Sequence, residues 1–88
     1  MNENSQELNI PKVTLSIDEY EKARLALNDP DTKINPIFIG RAKAMAKSCR
    51  IELSEDTVKL FAILHGDLGI NMLDIPLMEE ILRIQRDE

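Results

Sequence analysis

One histidine, His65, and one cysteine, Cys49, are the residues best suited to nucleophilic or metal chemistry in this chain. A zinc site needs about four ligands at recognisable spacing, and a single His and a single Cys cannot supply them. Cys49 falls on an apolar stripe and reads as a small core residue. His65 lies next to Gly66 and reads as a polar residue closing a helix, suited to the negative end of its dipole. Three acidic pairs, Asp18/Glu19, Glu55/Asp56 and Glu79/Glu80, could be imagined as general acid and base. Two of them stand where the first turn of a helix favours acids, and sequence neighbours do not share a helix face. The glycines, Gly40, Gly66 and Gly69, form no phosphate-cradling loop. The expectation is a protein that is not an enzyme and needs no metal or cofactor.

Charge is distributed more tellingly. Residues 1–50 carry eight Lys/Arg and seven Asp/Glu, a net +1, whereas residues 51–88 carry three and nine, a net −6. Between 35 and 50 stand Arg41, Lys43, Lys47 and Arg50 with no acid among them. Such asymmetry can join a nucleic-acid module to an acidic one.

These residues must be held by a small framework. The chain has 88 residues and a hydrophobic fraction of 43%, enough for one modest core that dimerisation could enlarge. MNENSQELN lacks the basic and apolar regions of a secretory leader, and no apolar run reaches a membrane-spanning length. A soluble cytoplasmic protein is the expectation, with residues 1–10 a flexible arm.

Lys12 to Ile17, KVTLSI, alternates. Lys12, Thr14 and Ser16 fall on one side, Val13, Leu15 and Ile17 on the other, as in a half-buried strand. No second strand pattern occurs to pair with it, and unpaired strand backbone is costly. A first helix follows from Ile17 to Asn28, with Ser16 as N-cap, Asp18 and Glu19 in its first turn, and Ile17, Tyr20, Ala23 and Leu27 on one face. Pro30 ends it.

Asn35 and Pro36 open a second helix. Phe38, Ala42, Met45 and Cys49 make its apolar stripe, and Lys43, Lys47 and Arg50 lie on another face. Ser54 caps a third helix, apolar almost all round and therefore central, ended by Gly66 and Gly69. A fourth runs from about Asp74 to Arg86, with Leu77, Met78, Ile81, Leu82 and Ile84 inward. The predicted fold is mainly α: a short N-terminal β-strand followed by four helices.

The order strand, helix, helix resembles the ribbon-helix-helix family of DNA-binding proteins. The resemblance covers residues 11–50. PKVTLSIDEYEKARLAL is similar to the family's strand and first helix. PIFIGRAKAMAK is similar to its second, with Phe38, Ile39, Arg41 and Ala42 matching the apolar pair, basic residue and alanine. The connection NDPDTKIN departs from the family in lacking a glycine, and Pro36 removes one amide that could hold a phosphate.

The resemblance implies a homodimer whose strands pair across a two-fold axis and enter the major groove of double-stranded DNA. It places Val13, Leu15 and Ile17 in the ribbon core and Lys12, Thr14 and Ser16 on the bases. Asn35, Arg41, Lys43 and Lys47 would approach phosphates. Residues 51–88 would then be an acidic helical hairpin for oligomerisation or for a protein partner, as in antitoxins of this class. The implied function is a transcriptional repressor or regulator. A second reading stands beside it: a small acidic all-helical interaction module, such as an adaptor, antitoxin or phage-type inhibitor, without DNA binding. Met45, Met72 and Met78 suit such contacts.

Overall fold

The computed structural model describes residues 10–87. Four α-helices account for most of them: α1 (Ile17–Leu27), α2 (Pro36–Cys49), α3 (Glu55–Ala62) and α4 (Asp74–Asp87). Their starts follow from local chemistry. At α1 the Ser16 hydroxyl accepts from the Glu19 amide at 3.1 Å and the Glu19 carboxylate accepts from the Ser16 amide at 3.0 Å, a reciprocal capping box. Asn35 Oδ1 accepts from the Ile37 amide at 2.9 Å, and Pro36 occupies the first turn of α2. The Ser54 hydroxyl caps α3 at the Thr57 amide, 3.1 Å away. Helix ends leave orphan amides, and these side chains satisfy them.

Helix α3 is the central element, as its composition predicts. Val58, Leu60, Phe61 and Ala62 are buried, and Thr57 is buried with its hydroxyl bonded to Gln85 on α4. α3 does not end at Gly66. It widens into a π-helical turn, Ile63–Asp67, whose Ile63 carbonyl accepts from the Leu68 amide at 2.9 Å. Gly69, at φ 59°, then takes the left-handed conformation that an L side chain resists. α1 packs on α3 and its π turn, α2 and α4 pack on α3, and α2 and α4 touch each other only lightly.

The predicted strand is a correction. No β-strand occurs among the described residues, and the fold there is all-helical. Lys12 forms one isolated parallel bridge with Met72, its amide donating to the Asn71 carbonyl at 2.8 Å. The next donors go elsewhere: the Leu15 amide to Glu80 on α4 at 3.0 Å, and the Ser16 amide to Glu19. Three amides of the segment therefore find their partners inside their own chain, in one loop carbonyl and two carboxylates. Its side chains do not alternate in burial. Leu15 is 3% exposed and joins the core, while Val13 is 72% and Ile17 52% exposed. An intermolecular ribbon is not the structure of this segment. Of the expected arm, residues 1–10, only Ile10 falls within the described residues, and it is exposed.

Candidate interaction groove

Both α2 and α4 pack on α3 and touch each other only lightly, and a groove lies between them. Two adjoining clefts, of about 380 and 250 Å³, make it up. They share Met45 and Cys49 on the α2 wall and Ile75 on the α4 wall. Met78 and Leu82 extend the α4 wall, and Ile51 closes the far end. Ala44 and Ser48 form the outer edge of α2. The lining is mostly aliphatic and thioether, and Ile51 and Ile75 stand partly in solvent, 40% and 52% exposed.

The near end of the groove is locked by a polar clasp. Asp74, the first residue of α4, accepts from Arg41 on α2 through both guanidinium arms, Nε–Oδ2 at 3.1 Å and NH2–Oδ1 at 2.5 Å. Its Oδ1 also lies 2.7 Å from His65 Nε2, on the π turn. Burial works to raise the Asp74 carboxyl, but the bonds from Arg41 and His65 outweigh it and hold it below the ordinary carboxylate value. An ionised Asp74 can only accept, so His65 donates to it through Nε2.

Aromatic packing fixes the donors. The His65 ring stacks on Phe38 with centroids 5.4 Å apart and meets the edge of Phe61 at 5.0 Å. The Arg41 guanidinium sits 5.2 Å over the Phe38 ring. Gly66 makes room for this arrangement, because a β-carbon there would come within 3.0 Å of the Phe38 ring. One carboxylate thus ties α2, the π turn and α4 together at the near end of the groove.

A second clasp holds the N-terminal segment. The Glu80 carboxylate accepts from Arg83 at 2.9 and 3.0 Å and from the Leu15 amide. The Arg83 bonds, then the Leu15 amide, lower its pKa. Lys12 Nζ lies 2.7 and 2.9 Å from the Glu19 carboxylate, and that bond does most to lower Glu19.

The residues expected to meet DNA are therefore divided. Lys12 is paired with Glu19, Ser16 is a helix cap, and Thr14 is exposed beside them. Asn35 spends its side chain on the α2 cap and Arg41 on Asp74. Lys43 and Lys47 are exposed on the outer face of α2, with Arg50 following. Val13 and Ile17 lie in solvent and Leu15 in the core.

One further expectation is corrected. Cys49 is exposed in the groove and not in the core, because the apolar stripe of α2 outruns the part of the helix that α3 covers. His65 stands, as expected, in the last turn of a helical segment, here the π turn. Its side chain is only 12% exposed and bridges elements. The side-chain hydrogen bond of His65 goes to Asp74. No group of three or more His, Cys, Asp or Glu among the described residues gathers in a way that could hold a metal ion. No described helix is long and apolar enough to cross a membrane.

Sequence reasoning missed Ile51 and Ile75 as site residues. Ile75 precedes Pro76 outside the inward stripe of α4, a weak signal that an apolar residue there faces something other than the core. Comparison with family models, curated proteins and solved structures found no match.

Proposed function

We propose that this chain is a small helical protein-interaction module that works by binding through the α2–α4 groove. The observation that carries this reading is an apolar groove whose two helical walls are tied together at the near end by the Arg41–Asp74–His65 clasp. Pre-arranged walls spare a partner the cost of ordering them. Met45, half-buried on the α2 wall, gives the lining an adaptable side chain. The groove runs past Ile75, Met78 and Leu82, a span of roughly two helical turns. That spacing suits a helix laid into a groove by residues at i, i+3 and i+7.

A photo-crosslinking residue in place of Ile75 tests the reading. Illuminated with source-cell lysate, it is expected to give a covalent protein adduct, while the same residue at exposed Lys22 on α1 gives none. No adduct at position 75 contradicts the reading.

A second reading has one specific observation in its favour. Lys43, Lys47 and Arg50 are exposed at i, i+4 and i+7 on an acid-free helix, a pattern suited to the phosphates of double-stranded DNA. It predicts binding to random duplex that weakens steeply as salt rises. Absence of a mobility shift at low salt and about 10 µM protein sinks it, since non-specific binders work in about that range.

A further inference from the structure

We propose that residues 10–16 form a strap whose attachment governs the first turn of α4, and through it the near end of the groove. The strap's part in binding rests on the interaction reading above; its coupling to α4 is a property of the chain alone. Three contacts attach the strap. The Lys12 amide donates to the Asn71 carbonyl at 2.8 Å, and Lys12 bridges Met72. The Leu15 side chain enters the core in which Met72 is also buried. The Leu15 amide donates to the Glu80 carboxylate at 3.0 Å. Asn71 and Met72 come just before Asp74, where α4 begins, and Glu80 stands on its second turn. The strap therefore grips the N-terminal half of α4 at both ends. At about 100° per residue, Glu80 stands roughly 140° from Ile75 and roughly 160° from Leu82 around α4. The grip is on the side away from the groove.

The first turn of α4 depends on such ties. Leu73 and Ile75 are 62% and 52% exposed, and the buried residues of α4 begin only at Leu77. A turn with so little buried apolar surface opens at a lower free energy than the core. The clasp holds this turn from the other side, through Asp74 to Arg41 and His65. Strap and clasp thus act on one short stretch, and each keeps Asp74 where the other needs it. Detaching the strap frees residues 71–73, lets Asp74 leave Arg41 and His65, and loosens the wall a partner meets at Ile75. Opening the clasp loosens the strap in turn, because coupling between two sites is reciprocal.

Amide hydrogen exchange followed by NMR on the full chain tests the coupling. Lys12→Pro removes the amide that bonds Asn71, whereas Lys12→Ala removes only the ion pair with Glu19. The reporter is the Leu77 amide, which closes the first turn on the Leu73 carbonyl at 3.0 Å. Its exchange is expected to be about fivefold faster in Lys12→Pro than in Lys12→Ala, the scale of one hydrogen bond. The Leu60 and Phe61 amides of α3 are expected to keep their rates. Asp74→Asn is expected to speed exchange at Lys12 and Leu15, again without change in α3. That arm does not depend on how Lys12→Pro folds.

Equal Leu77 rates in the two Lys12 variants, acceleration in α3 to the same degree, or Lys12 and Leu15 amides indifferent to Asp74→Asn overturn the proposal. Crosslinking at position 75 separates the two levels, and Lys12→Pro is expected to lower the yield of adduct. An adduct from the parent with uncoupled exchange overturns the strap and leaves the groove. Coupled exchange with no adduct from the parent overturns the groove and leaves the coupling. An undiminished yield from Lys12→Pro overturns the strap's part in binding.

Discussion

Asp74 illustrates how much of this structure rests on single side chains. Its carboxylate receives Arg41 and His65, as Glu80 receives Arg83 and Leu15 and Glu19 receives Lys12. All three carboxyls titrate lower in the folded chain than in the unfolded one. The unfolded chain therefore binds their protons more readily. The stability they contribute is complete above about pH 5 and is lost as pH falls from the ordinary carboxyl range, about 4, through the lowered folded values. Urea unfolding between about pH 7 and pH 3 is expected to show this decline, and Asp74→Asn with Glu80→Gln to flatten it. An unchanged slope would mean that these bonds contribute little in solution.

Arg50 ends α2 at φ 58°, ψ 46°, where a β-carbon is strained. Arg50→Gly is expected to stabilise the chain by about 0.5–1 kcal/mol in urea titration. Residue-scale features with a short reach were legible in the sequence. Ser16, Asn35 and Ser54 act on amides two or three residues away and were read correctly as caps. His65 and Asp74 were not, because their partnership depends on Phe38 and Arg41 arriving from another helix.

At the scale of elements, the N-terminal segment shows why a period-two pattern misleads. Alternation suggests a strand only if a ladder supplies partners. Here Asn71, Glu80 and Glu19 supply them one at a time, and a single side chain, Leu15, goes inward. An intermolecular ribbon would make Val13 and Leu15 equivalent. The observed fold predicts that they differ. Leu15→Ala is expected to cost about 2–3 kcal/mol in chemical unfolding, as a buried leucine does. Val13→Lys is expected to stay within about 0.5 kcal/mol, as an exposed site does. Equal costs would contradict the segment's placement. The four helices were legible because each shows a 3.6-residue apolar period, and α1, α2 and α3 add a side-chain cap at the start. The π turn was not, since nothing local distinguishes Ile63–Asp67 from a continuing helix.

For the whole molecule, the legible part was the existence of a core centred on α3, and the illegible part was how far it reaches. The stripe on α2 was read as wholly inward, yet α3 covers only the part through Ala42 and Ala46, and Met45 and Cys49 are left facing α4 across the groove. That uncovered remainder is where the account places function. Crosslinking from position 75 reaches it most directly. The account predicts a protein adduct from position 75 and none from position 22. A chain that forms no adduct at position 75, alone at high concentration or among source-cell proteins, would contradict it.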